Sequence, residues 1–236
     1  MSAPEPIVFL VDVDNTLLDN DRIQSDIQHH LEREYGAQCR ERYWTIQERL
    51  FTELGYRDYL GALQCYRAEH PEDVPLFSMS SFLIDYPFAD RLFPGALDAL
   101  RRLRQWGRTV VLSDGDVVFQ PRKVQRSGIS AAVEGRVLIY IHKEDELDDV
   151  ERRYPARHYV LVDDKPRILT AIKQVWGDRV TTVLPRQGKF ANDPEVASSS
   201  PAADVMVERI GELVTHDLQG LLSSDEPALR SAKVTP

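Results

Sequence analysis

Apolar positions along the chain fall into short runs separated by longer amphipathic stretches. The runs are "IVFLV" (7–11), "TVVLS" (109–113), "VLIYI" (137–141), "HYVLV" (158–162), "VTTVL" (180–184) and "DVMV" (204–207). They are apolar nearly throughout rather than at alternate positions, which predicts strands covered on both faces in a parallel sheet. Helical patterns lie between them. "FPGALDALRRLRQWG" has Pro94 near its first turn, Leu97, Leu100 and Leu103 on one side, and Gly107 as a stop. Segments 118–127, 145–153 and 166–176 also read as helices. Strand and helix alternating in this way predict a doubly wound, Rossmann-like α/β domain.

The alternation breaks between the first run and the second, where a long stretch carries little strand pattern. Within it Ile23, Ile27, Leu31 and Tyr35 recur every four residues before Gly36. Tyr43, Ile46, Leu50, Phe51 and Leu54 form a second series before Gly55, and Leu60, Leu63 and Tyr66 a third that Pro71 ends. Residues 19–89 are therefore expected to form a small helical bundle, with "HPEDVP" as a loop inside it. The α/β core then comprises 1–18 and 90–222. "ERIGELVTHDLQGLL" predicts a closing helix, 192–204 a surface loop, and 223–236, poor in apolar residues, a disordered tail.

With 236 residues, 42% of them hydrophobic, the chain has material for a substantial core plus an insertion. A formal net charge of -9 argues against a nucleic-acid surface, which needs clustered Lys and Arg. An acidic chain still binds a small phosphate where a few cations, backbone amides or a metal offset the charge. Cys39 and Cys65 fit neither a Cys-x-x-Cys site nor a disulfide framework, so a reducing, cytoplasmic setting is expected. The opening "MSAPEPIVFLV" has no basic leader, and its apolar run is too short for a membrane span. No membrane partner is expected.

In parallel α/β sheets ligands bind beyond the carboxyl ends of the strands. Those ends carry Asp12 and Asp14, Ser113 and Asp114, His142 and Lys143, and Asp163 and Asp164. A single Asp at a strand end is commonly a turn former or helix cap. Four polar ends converging on one edge of a sheet require more. Clustered carboxylates repel unless a cation joins them, and Mg2+ takes oxygen ligands from carboxylates, water and phosphate. Lys143 adds a positive charge, while Ser113 and the amides of "SDGD", where Gly115 permits unusual torsions, offer donors to an anion. The set suits phosphoryl transfer, in which positioning and charge stabilisation do most of the work.

These motifs resemble the haloacid dehalogenase superfamily from about residue 7 to residue 222. "DVDNT" (12–16) matches its DxDxT motif, Ser113 in "VVLSDG" its second motif, Lys143 in "YIHKED" its third, and "VLVDDK" at Asp163 and Asp164 its fourth. The helical insertion stands where many members carry a cap. The resemblance implies Asp12 as nucleophile and Asp14 as general acid and then base. It implies Mg2+ held by Asp12, the backbone carbonyl of Asp14 and Asp164, with Asp163 a ligand through water or a supporting partner. Ser113, the turn at Asp114 and Lys143 would bind the phosphoryl oxygens, and Thr16 would orient the loop.

Two positions depart from the family pattern. Glu144 follows Lys143 where members often have Pro, which leaves Lys123 as a rival lysine. Ile168 stands where many members have another acid, a role that falls to Asp163. The implied activity is Mg2+-dependent hydrolysis of small phosphomonoesters, with phosphomutase chemistry or a non-catalytic binding role on the same fold as alternatives. A small phosphorylated metabolite is the expected partner, with Tyr56 and Arg57, just past Gly55, reaching the substrate. His142 has no part in this chemistry, and no pattern specifies an oligomeric state.

Overall fold

The apolar runs become six parallel strands because each can bury both of its faces. They are β1 (Glu5–Val11), β2 (Arg108–Asp114), β3 (Val137–Tyr140), β4 (Ala156–Val162), β5 (Val180–Pro185) and β6 (Val205–Val207). The computed structural model describes residues 4–72, 76–191 and 201–217. In β1, Ile7, Phe9 and Val11 join one apolar cluster while Val8 and Leu10 join the other. A large apolar side chain buried in this way contributes roughly 1.5–3 kcal/mol. The strand order is β3-β2-β1-β4-β5-β6. The chain winds outward from β1 through β2 to β3, then returns to the other side of β1 at β4. The ends of β1 and β4 therefore flank the point where winding direction reverses, where open α/β sheets bind ligands.

Helices cover both faces, so the fold is the doubly wound α/β class expected. On one face α5 (Ala96–Leu103), α6 (Phe119–Arg126) and α7 (Ile129–Ala132) pack on Phe9 and Val11. On the other, α8 (Leu147–Arg153) and α9 (Pro166–Trp176) pack on Val8 and Leu10. A short α10 (Gly188–Ala191) follows β5.

Between β1 and α5 the described residues form four further α-helices: α1 (Asn20–Tyr35), α2 (Ala37–Leu54), α3 (Tyr59–Glu69) and α4 (Leu76–Asp85). Ile23, Ile27, Leu31, Tyr43 and Tyr66, picked out by their spacing, belong to a third apolar cluster, which Phe119 of α6 joins from the core. α4 has no counterpart in the expected set. Its sequence, "LFSMSSFLID", mixes serines among apolar residues and presents no charged face to mark a helical period.

At the other end, the expected closing helix is replaced, within the described residues, by a 3-10 turn at Ile210–Val214. Gly211 lies against the Pro94 carbonyl, where a side chain would collide, so the turn is pressed onto the start of α5. The expected loop at 192–204 falls largely, and the expected tail wholly, outside the described residues. Among the described residues no helix is long and apolar enough to cross a membrane.

Candidate active site

Beyond Val11 the chain leaves the sheet through a tight turn. The Asp12 N–H still donates to the Val162 carbonyl at 2.9 Å, after which the Leu17 and Leu18 amides fold back onto the Val13 carbonyl, each at 2.9 Å. Asn15 adopts φ 61, a left-handed conformation that Asn tolerates better than most residues. Its Oδ1 accepts the backbone N–H groups of Asn20 and Asp21 at 3.0 and 3.1 Å. The turn carrying both acids is thereby fixed to the helix it launches.

Asp12 is buried at the end of β1, and Lys143 reaches it from beyond β3. Lys143 Nζ lies 2.6 Å from Asp12 Oδ1 and 2.5 Å from Asp163 Oδ2. Burial opposes the ammonium, but Asp12, Asp163 and Asp114 hold its pKa well above the ordinary value, so it stays charged. Asp163 is pushed up to about 6, chiefly by burial and against the pull of Lys143. Burial, together with the charge of Asp163, raises Asp164 well above the carboxylate range.

Carboxylate oxygens of Asp12, Asp163 and Asp164 lie within 4.8 Å of one another. Asp12 Oδ2 and both oxygens of Asp164 are buried without a hydrogen-bond partner. Unpaired buried carboxylate oxygens are costly, and of the two ammonium groups near the three acids only Lys143 pairs directly with any of them, Lys165 acting from farther off. The donor set fits a cation that prefers oxygen ligands.

The remaining strand-end residues brace this cluster. Thr16 Oγ1 accepts the Asp164 N–H at 3.0 Å, joining the turn after β1 to the end of β4. Ser113 is buried, and its Oγ accepts from Gln120 Nε2 at 2.9 Å. Asp114 Oδ1 accepts the Lys143 N–H at 2.8 Å, and the Lys165 N–H donates to Asp163 Oδ1, also at 2.8 Å. One amide of the "SDGD" turn is occupied, and the turn's last acid caps the residues that follow. Gly115 N–H donates to the Tyr140 carbonyl, and Asp116 accepts from Val118 and Phe119. Of the expected donors, the Gly115 amide is thus closed to an anion, while the Ser113 hydroxyl stands beside Gln120.

Asp14 stands apart from the buried acids. Its side chain is 25% exposed at a cavity of about 590 Å³ between the core and the inserted helices. Lys123 Nζ holds Asp14 Oδ1 at 2.6 Å and Asn20 Oδ1 at 3.2 Å. Lys165 and Phe119 line the cavity from the core, and Phe51, Tyr56 and Arg57 line it from the insertion. Arg57 pairs with Glu48 at 2.8 Å, and its guanidinium lies over the rings of Phe51 and Trp44. Gly55 has φ 78, and a side chain there would collide with the His142 ring, so the turn after α2 closes directly onto the end of β3. His142 itself is exposed.

A family model for haloacid dehalogenase-like hydrolases matches residues 8–176. The chain belongs to that family. A crystal structure of a haloacid dehalogenase-like hydrolase from Burkholderia xenovorans is 64% identical, with a TM-score of 0.88 over 93% of this chain and 100% of that one. An L-2-haloacid dehalogenase from Xanthobacter autotrophicus is similar in fold at 16% identity, with a TM-score of 0.57 over 88% and 96%. A magnesium-bound haloacid dehalogenase-like hydrolase from Bacillus subtilis shares the fold at 17% identity, with a TM-score of 0.59 over 89% and 97%. Among curated proteins none matches the chain.

In this haloacid dehalogenase-like site Asp12, Lys143, Asp163 and Asp164 form the buried cluster, while Asp14, Tyr56 and Arg57 face the cavity. Lys123 is no mere rival to Lys143, because each lysine holds a different acid. Gln120 and Asn20 are site neighbours that strand-end reasoning does not reach, and Lys165, the last residue of "VLVDDK", had no role in that reading. For Gln120 the signal was helical: Gln120, Lys123 and Val124 fall on one buried face of α6.

Proposed function

We propose that this hydrolase is a Mg2+-dependent phosphatase that acts on small phosphomonoesters through an aspartyl-phosphate on Asp12. The second acid carries the reading. Asp14 reaches the cavity with Lys123 on Oδ1, and no hydrogen bond occupies its Oδ2 among the described residues. An ester oxygen leaves readily only when it takes a proton, whereas a halide leaves without one.

In the first step an Asp12 carboxylate oxygen attacks phosphorus, the bond to the ester oxygen breaks, and Asp14 delivers a proton to that oxygen. In the second, Asp14 takes a proton from water, the water oxygen attacks phosphorus, and the bond to Asp12 breaks to release inorganic phosphate. Lys143 and the Ser113 hydroxyl stabilise the transferring oxygens, and Thr16 keeps the Asp12 turn in register with Asp164. Asp12, the Asp14 backbone carbonyl and Asp164 would hold Mg2+, which would supply charge neutralisation at this acid-rich site. Asp163, paired with Lys143, would be a ligand through water or a supporting partner of the ligands. The inserted helices act as a cap that excludes bulk water, and Tyr56 and Arg57 contact the part of the substrate beyond the phosphate.

The test is phosphate release with Mg2+ across a panel of small phosphomonoesters that includes p-nitrophenyl phosphate. Asp12→Asn is expected to lose on the order of a thousandfold or more in kcat/KM. If no ester turns over faster with wild type than with Asp12→Asn, the phosphatase reading fails. Halide release from a 2-haloacid without phosphate release from any ester would replace it with a dehalogenase.

A further inference from the structure

Lys123 is a buried ammonium whose charge the two steps above leave without a task. It lies on α6 with only 1% of its side chain exposed, and its Nζ is 5.5 Å from the centre of the Phe119 ring. An ammonium in such surroundings is costly unless paired. Its charged partner is Asp14 Oδ1 at 2.6 Å, and its neutral one is Asn20 Oδ1 at 3.2 Å. Among the described residues no other cation forms an ion pair with Asp14. Lys143 is committed elsewhere, to Asp12 and Asp163. The two buried lysines therefore pair with different acids.

Asp14 reaches the cavity on a short side chain with two rotatable bonds. A general acid must present one oxygen within about 3 Å of the atom it protonates. Tethering Oδ1 fixes both torsions and leaves Oδ2 for the substrate. Asn20, the first residue of α1, anchors the lysine to the root of the inserted helices.

We infer that Lys123 is a positioning residue for the leaving-group proton, holding Asp14 by one carboxylate oxygen so that the other faces the ester oxygen. This rests on the phosphatase reading. It differs from a purely structural ion pair in one measurable way. A structural role predicts equal losses for every ester, whereas misplacement of the acid harms most the esters whose leaving oxygen needs the proton most.

The experiment compares kcat/KM for p-nitrophenyl phosphate and phenyl phosphate, with Mg2+, in wild type and Lys123→Met. The two esters have similar shapes. Phenol, with a pKa near 10 like tyrosine, is a much poorer leaving group than nitrophenol. Lys123→Met is expected to lose about tenfold more on phenyl phosphate than on p-nitrophenyl phosphate. Lys123→Arg, which keeps the cation, should recover part of that selectivity. Equal losses on both esters, within about twofold, overturn the inference while leaving the phosphatase reading intact. Should Lys123→Met fail to melt cooperatively, Asn20→Ala carries the comparison: it removes the second anchor of the lysine and should show the same selective loss, smaller in size. Equal losses there overturn the inference too. If wild type hydrolyses neither ester nor any other in the panel, the phosphatase reading falls, and the role of Lys123 falls with it.

Discussion

The Thr16 hydroxyl accepts the Asp164 N–H at 3.0 Å, across 148 positions of sequence. Both residues are fully buried, so no water can replace the bond. Thr16→Val keeps the shape and deletes the acceptor, leaving an amide unpaired at a cost of about 1–3 kcal/mol. For a domain of this size each kcal/mol lowers the melting temperature by roughly 2–4 °C. Thr16→Ser retains the oxygen and is expected to lose less than Thr16→Val. A Thr16→Ser protein that melts lower than Thr16→Val would assign the role to the methyl group instead. Thr16 stood out in sequence through its place in "DVDNT", but its partner was invisible there. Strand ends are legible because an acid after an apolar run breaks the pattern. Contacts such as Lys123 with Asp14 are not, because the period of α6 gives a buried face without saying which strand end it meets.

At the scale of elements, the inserted helices are bound to the core where the chain leaves and returns. The Asp19 N–H donates to the Arg91 carbonyl at 2.8 Å, and Asp26 on α1 gathers the Tyr86 hydroxyl at 2.5 Å and Arg91 Nε at 2.9 Å. Burial pushes the Asp26 carboxyl up, but Tyr86, Arg91 and Arg22 outweigh it, and its pKa lies below the ordinary value. A depressed folded pKa means stability that is present above the ordinary carboxylate range and lost as pH falls through the folded value. Wild type is therefore expected to be more stable than Asp26→Asn at pH 7, with the difference shrinking as the solution is taken below about pH 4. Urea midpoints at pH 7, 5 and 3 check this, and a difference that is unchanged across the series contradicts it. The first three helices after β1 were readable from three- and four-residue spacing ended by Gly or Pro. The clasp was not, since Asp26 and Arg91 look like ordinary surface charges until α4 and the turn after it bring them together.

For the whole molecule, folding closes two apolar layers over a sheet whose switch point holds Asp12, Asp163 and Asp164 around the Lys143 ammonium, with Lys165 as a more distant charge. The raised values of Asp163 and Asp164 mean that the folded state takes up protons more readily than the unfolded chain. A raised carboxylate pKa weakens folding as pH climbs from the ordinary value, near 4, toward the folded one. A divalent cation that binds only the folded cluster reverses this by mass action, adding about 2.7 kcal/mol when present at a hundred times its dissociation constant. Protons compete with the cation for the same oxygens. Added Mg2+ is therefore expected to raise the melting temperature relative to EDTA, and to raise it more at pH 7.5 than at pH 5. Asp164→Asn, which removes the acid with both oxygens unpartnered, should melt higher than wild type in EDTA and lose most of the Mg2+ response. An equal Mg2+ shift in wild type and in Asp164→Asn would place the stabilising cation away from the cluster and remove the main support for a metal-assisted reaction there.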